Sequence, residues 1–361
     1  MIDCLVVGGG IAGASVAYFL SKGGANVAVM DDTGFCGAAS LAAGAFINPV
    51  MGKPSKFKDF ADEAFGFSVD FYSTHFPHLY NKCGSLIYPK NEKTIEEYEA
   101  LGAHIPSDFE FRSDVQPLGA FFVKDSGLIS PKALIDGMLD GIQKIEQKAQ
   151  HIEKTECGWS VDGVKAKNVI LAQGANSLLV SEDYLHTQLY GLWGQKSKIK
   201  TEATVPYIIS SKVHIVAIEG GLAIGATHIR SDEPLPINRA DTLHLIEEAR
   251  EVLEIADFEV IDESGGMRSA SIDHFPLAGA VYDSCATLDR FPSLVHGARL
   301  SSEAPSKYEG LYIHTGHGSR AFMLAPYTAK LLADEILSGK QTPAAIDPAR
   351  LLFRYFKKKK S

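Results

Sequence analysis

Gly8, Gly10 and Gly13 stand at G-x-G-x-x-G spacing in CLVVGGGIAGAS, directly behind a short apolar run. Asp31 closes a second apolar run, NVAVMDD, about 20 residues further on. Glycines at that spacing let a strand turn sharply into a helix, let backbone approach a pyrophosphate and let the helix pack on its sheet. The helix N-terminus offers free N–H groups to the phosphates, and a carboxylate at Asp31 takes a ribose hydroxyl. The chemistry these residues can do is the binding of an adenine dinucleotide. Gly8, Gly9, Gly10, Ala12, Gly13 and Asp31 are the first candidate cofactor residues.

These residues need a strand, a helix and a second strand to hold them, and residues 2 to 35 read as that unit, the opening of a doubly wound sheet. Residues 37 to 52, GAASLAAGAFINPVMG, are too rich in Ala and Gly for a solvated loop and are expected to lie against the cofactor. Residues 59 to 80 read as an aromatic helix, NEKTIEEYEALG as an acidic one with a solvated face, and SGLISPKALIDGMLDGIQK as a helix with Ser130 as N-cap and Pro131 first. WSVDGVKAKNVILAQGANS reads as a hairpin turning at Asp162-Gly163 and running into a glycine turn at Gly174. KVHIVAIEGGLAIGATHI reads as a second hairpin around Gly220-Gly221, which marks a mixed-sheet substrate domain. RADTLHLIEEAREVLEIADF is an amphipathic helix. The C-terminal third carries a strand, GLYIHT, a glycine turn, GHGSR, and a helix, APYTAKLLADEILSG.

The 361 residues suit two domains, with 45% hydrophobic and 22% charged residues, as in a soluble globular protein. Apolar runs are short and broken, so no signal peptide or membrane span is expected and the cytoplasm is the expected location. Cys4, Cys36, Cys83, Cys157 and Cys285 are scattered, without C-x-x-C spacing. They read as reduced, packed thiols, with no metal site. A net charge of −9 argues against a chain coated with nucleic acid but leaves room for a local basic patch.

Strand, glycine turn and helix thus occur at both ends, and the second copy lacks the phosphate-binding spacing. A helix N-terminus there suits a flavin ring, whose reduction builds negative charge. Together with Ala39, Ser40 and Gly44 after the second strand, the VILAQGANS strand, Gly225 to Thr227 (GAT) and GHGSRAFMLAP, the chain resembles the D-amino-acid-oxidase-like superfamily of FAD-dependent amine oxidoreductases over almost its full length. GAFINPVMGKP, GGMRSASIDHFPLAG and GHGSRAFMLAPYTAKLLADEI are similar to the FAD oxidoreductase module of the bacterial bifunctional proteins of tRNA 5-methylaminomethyl-2-thiouridine biosynthesis.

The resemblance implies an α/β (α+β) fold: an FAD-binding Rossmann-type domain from residues 1–75, 125–185 and 265–361, interlaced with a substrate domain from 76–124 and 186–264. It implies non-covalent FAD, held additionally by Ser40, Gly44, Ala172, Gly174, Gly316, His317, Gly318, Ser319 and Ala321. It implies oxidative removal of the carboxymethyl group from carboxymethylaminomethyl-uridine at the tRNA wobble position, leaving aminomethyl-uridine and glyoxylate. A separate methyltransferase would act next, since no such module is expected in this chain, and dioxygen is the expected electron acceptor. Arg268 matches the position from which glycine-oxidase-like enzymes pair the substrate carboxylate; a structural salt bridge is the alternative. Arg320 has four open roles, toward flavin, substrate, an RNA phosphate or structure alone, and His317 is expected to pack rather than react. The chain departs from the family in having Trp193 before Gly194-Gln195, where arginine is common, and Ala321 where glycine usually follows Ser-Arg.

Lys196, Lys198 and Lys200 alternate on one strand face and, with Lys53, Lys56 and Lys58 and the tail Lys357 to Lys360, are candidate tRNA footholds; a solvated face is the alternative. Two other functions stay open. One is an oxidase of a free amino acid (glycine, sarcosine or a D-amino acid) using the same flavin and Arg268, and the other is a non-catalytic flavin-binding subunit.

Overall fold

In the computed structural model the described residues are all of 1–361 except 103–104, 106, 116, 176–177, 297–304 and 359–361. The first sheet is built on parallel strands in the order Gln143–Glu146, Val27–Asp31, Ile2–Val7, Val164–Leu171 and Lys307–Thr315, with Leu277–Tyr282 antiparallel beyond the last. One edge of Val164–Leu171 is shared: its first half pairs with Gly158–Val161 and its second half with Lys307–Thr315.

Alternation along the strands sends apolar side chains to both faces, as a sheet covered on both sides requires. Cys4, Val6, Val27 and Val29 enter a core with the helices Ile11–Lys22, Lys56–His75, Pro131–Met138 and Ala321–Ser338. Leu5, Val7, Ala28 and Met30 enter the opposite core, closed by Leu351, Leu352 and Phe356 of the helix Ala349–Lys358.

The second sheet is mixed. Leu189–Lys200 pairs along its length with Glu259–Ser271 and, on its other edge, with Gly221–Gly225 and Ile229–Arg230. The order continues through His214–Ile218, Ile208–Ser210, Ser85–Ile87 and Ala120–Val123 to Phe109–Arg112. The helix Arg239–Arg250 packs Leu245, Ile246 and Ala249 on one face, against Ile199, Ile215, Leu222 and Ile224. Residue 265, the expected division between domains, falls inside the Glu259–Ser271 strand.

The Asp162-Gly163 hairpin forms as expected, with φ of 44° and 87° at the two turn residues. The second hairpin turns one residue earlier than expected, at Glu219-Gly220, because Gly221 already pairs with Ile218. The helix expected over 126–144 is shorter: it ends at Met138, and Gln143–Glu146 becomes an edge strand beside Val27–Asp31. Cys4 and Cys36 are buried thiols, but Cys157 and Cys285 are exposed rather than packed, since both lie in surface turns and helix ends outside the cores.

Candidate active site

A cavity of about 1030 Å³ opens between the carboxyl ends of the parallel strands and one face of the second sheet. That is where open α/β sheets bind ligands. Of the candidate residues it brings together Gly10, Ala12, Ser40, Gly44, Ala172, Gly174, Lys196, Lys198, Arg268, Gly316, His317, Gly318, Ser319, Arg320 and Ala321. Gly8, Gly9, Gly13 and Asp31 stand behind the wall and build the turn.

At Gly13 a Cβ would lie 1.8 Å from the Gly8 carbonyl oxygen, and at Gly8, with φ of 109°, it would lie 2.4 Å from that of Ala172. These positions accept no side chain. The Ile11–Lys22 helix starts with Gly10, which provides no side-chain cap; Ser40 Oγ accepts from the Ile11 N–H at 3.0 Å. Asp31 Oδ2 accepts from the Gly9 N–H at 2.7 Å, and Oδ1 accepts from the Thr33 N–H and hydroxyl at 2.7 and 2.6 Å. The carboxylate thereby fixes the turn. The Ala321–Ser338 helix also lacks a side-chain cap, and Gly316 and Gly318, with φ of 78° and 59°, bend the chain onto its N-terminus. A glycine turn at each of two helix starts and a long cavity joining them fit an FAD, pyrophosphate at one end and ring at the other.

Arg268 crosses the second sheet over Gly194, and its Nη1 donates to the Thr227 carbonyl at 3.2 Å. No carboxylate pairs with it among the described residues. Burial pushes its pKa down to about 10, so it stays cationic at neutral pH. Arg320, in the Gly318–Arg320 turn, likewise has no acidic partner among the described residues; its guanidinium lies 5.9 Å from the Phe57 ring, and burial lowers its pKa. Among the described residues, six lysine or arginine side chains line the cavity against one carboxylate, Glu251. In a chain of net charge −9, that concentration selects for anions.

His317 is buried, its Nε2 3.1 Å from Thr328 Oγ1, and His314 lies between Thr328 Oγ1 at 2.8 Å and the Ala12 carbonyl at 2.9 Å. A carbonyl only accepts, so His314 Nδ1 carries the proton. Both imidazoles thus meet at the Thr328 hydroxyl, which also lies 3.0 Å from the Leu324 carbonyl. Burial lowers both pKa values, that of His314 to about 4. The pair ties the flavin-side turn to the first helix, in keeping with packing rather than reaction.

Sequence reasoning missed His214, His228 and Phe46. The His214 ring stacks on Phe46 at 4.8 Å, and burial, helped by the nearby His228, Arg320 and Arg268 charges, lowers its pKa to about 4. Its one signal was phase: His214, Val216 and Ile218 alternate in a strand, and all three face the cavity. Trp193 is buried against Gly265, away from the cavity lining. Lys196 and Lys198 line the cavity, Lys198 pairing with Asp262 at 2.9 Å, while Lys200 is exposed beyond it. Lys58 is no foothold: it is buried in an ion pair with Asp62, one helical turn on. Lys359 and Lys360 lie outside the described residues.

Two interlocked sheets with a glycine-cradled cavity between them define a dinucleotide-dependent enzyme fold. The chain belongs to the FAD dependent oxidoreductase family, matched over residues 3–335. It is 26% identical to the tRNA 5-methylaminomethyl-2-thiouridine biosynthesis bifunctional protein MnmC of Campylobacter fetus over 99% of this chain and 60% of that protein. It is 27% identical to the Legionella pneumophila protein of the same name over 96% and 57%. The chain thus spans about 60% of the length of these curated relatives. Among solved structures, glycine oxidase from Geobacillus kaustophilus has the same fold, with a TM-score of 0.76 at 18% identity over 97% of both chains. Iminodiacetate oxidase from Chelativorans gives 0.72 at 18% identity over 96% of this chain and 99% of that one. No described helix is long and apolar enough to cross a membrane, and no cluster of metal-ligating side chains occurs among the described residues.

Proposed function

We propose that this chain oxidatively removes the carboxymethyl group from carboxymethylaminomethyl-uridine in tRNA, giving aminomethyl-uridine and glyoxylate. The observation that carries it is Arg268, a half-buried guanidinium without a carboxylate partner among the described residues, on the floor of a cationic cavity. An arginine fork holds a carboxylate in two parallel hydrogen bonds and so fixes the neighbouring carbon. FAD, held without a covalent link, would supply a two-electron acceptor for the C–H bond of that carbon. Hydrolysis of the resulting C=N bond parts the amine from glyoxylate. His214 and His317, both neutral at pH 7, leave the amine's proton with solvent or with a substrate bound already neutral. Dioxygen as acceptor, and a separate methyltransferase acting on the product, complete the reading.

Likeness to the MnmC proteins favours tRNA over a free amino acid. The test is glyoxylate release by the holoenzyme from tRNA carrying the modification, set against release from glycine and sarcosine. Binding to that tRNA should weaken with salt by about 0.7 to 0.9 log units per phosphate contact for each log unit of salt. Faster turnover of free glycine, with no tRNA binding at low salt, would replace this reading with the amino-acid oxidase.

A further inference from the structure

We propose that Lys196 is a specificity residue that selects secondary amines bearing a carboxymethyl group on one side and a hydrogen-bond-accepting oxygen on the other. The proposal rests on the reading of Arg268 as the carboxylate anchor. Gly194, Lys196 and Lys198 follow one another on one face of the Leu189–Lys200 strand, while Gln195 and Ser197 turn the other way to bond Thr242 of the covering helix. Successive residues on one strand face are about 6–7 Å apart. With the Arg268 guanidinium lying over Gly194, Lys196 is therefore the next side chain along the same floor.

Its ammonium donates to the Ala43 carbonyl at 3.1 Å and has two further N–H groups to give. Lys198 is held by Asp262 at 2.9 Å and Lys212 by Glu251 at 2.7 Å, whereas no carboxylate among the described residues pairs with Lys196. Burial lowers its pKa, as expected of a desolvated ammonium without a counter-ion. The sheet face thus holds, side by side, two cations with no carboxylate partner among the described residues. A ligand with a single carboxylate satisfies Arg268 and leaves Lys196 unmet, while one with a second acceptor beyond the amine satisfies both.

Two chemistries share that layout: a second carboxylate on the amine's other arm, and the 4-carbonyl of a uracil joined through its 5-methylene. Both arms are testable on the holoenzyme. Calorimetry with (methylthio)acetate and thiodiacetate, in which sulfur replaces the oxidisable amine, isolates binding. Thiodiacetate should bind about tenfold or more tighter, the range for a hydrogen bond to a charged group. Lys196→Met should erase that preference, with (methylthio)acetate affinity and FAD content unchanged. In the second arm, Lys196→Met should raise KM for the carboxymethylaminomethyl-uridine nucleoside with little change in kcat, measured as glyoxylate release.

A preference that survives in Lys196→Met and in Lys196→Gln would overturn the proposal, as would equal losses for both thioethers. If neither thioether binds wild-type holoenzyme, the anchoring role of Arg268 fails first and takes the proposal with it. Loss of the thiodiacetate preference alone, with (methylthio)acetate still bound, separates failure here from failure of that reading.

Discussion

A Cβ built on Gly194 would sit 1.9 Å from Nη2 and 2.2 Å from Cζ of Arg268. The guanidinium therefore occupies the space that any other residue at 194 would fill. Gly194→Ala should push the fork off the floor while leaving FAD bound. We expect a rise in KM for carboxylate substrates and a fall in kcat/KM on the order of 100-fold, the scale of a 1 Å misplacement. Normal steady-state kinetics in this variant would mean that the fork has room elsewhere.

Arg268→Ala should retain FAD and lose about 2 to 5 kcal/mol of substrate binding, the scale for one partner of a buried charged pair, hence roughly thirtyfold to a few thousandfold in kcat/KM. Arg268→Lys keeps the charge without the fork and should recover only part of this. Visible absorbance per chain measures the cofactor and glyoxylate release the turnover; a parallel loss of both would return Arg268 to a structural role.

Gly13→Ala puts a methyl group 1.8 Å from the Gly8 carbonyl, where no side chain is available to move aside. The first helix must retreat from the sheet, so the purified variant should carry little or no FAD, and its melting temperature should not rise on adding the cofactor. Stoichiometric FAD in Gly13→Ala would contradict the close helix-to-strand approach.

His314 titrates near pH 4 in the fold against an ordinary value of 6.5. Between those values the unfolded chain binds a proton that the folded chain refuses, so stability from this group is complete above about pH 6.5 and falls as pH drops toward 4. At pH 5 the loss is about 2 kcal/mol. The holoenzyme's melting temperature should decline from pH 7 to pH 5, and His314→Gln should flatten that decline; an equal decline in both proteins would assign it to other groups.

Both ends of the cofactor cradle were legible because local rules impose them: a glycine where a Cβ meets backbone, a strand before it and a helix after. Gly194 shows what was not. In the chain it is one more glycine between Trp193 and Gln195, and its meaning depends on Arg268, brought beside it only by the pairing of Leu189–Lys200 with Glu259–Ser271. His214 was hidden for the same reason, since alternation reports which residues share a face but not which face meets the cavity. The Gln143–Glu146 strand was missed because an edge position beside Val27–Asp31 overrode a helical-looking sequence. Lys58 was misread as free because its partner, Asp62, sits one helical turn on, where only burial of that face turns a charge run into an internal ion pair.

The shared edge of Val164–Leu171 also bears on how the protein is made. Ile2–Val7 is synthesised well before Val164–Leu171, one of its two parallel neighbours, and that strand's own partner, Lys307–Thr315, comes later still. Contacts so distant along the chain make folding slow, because loop closure must precede the stabilising pairings. The nascent glycine turn therefore has no finished cavity beside it until Gly316, which lines that cavity, has been synthesised. A chain stalled before Lys307 therefore lacks both its last parallel strand and one wall of the cavity.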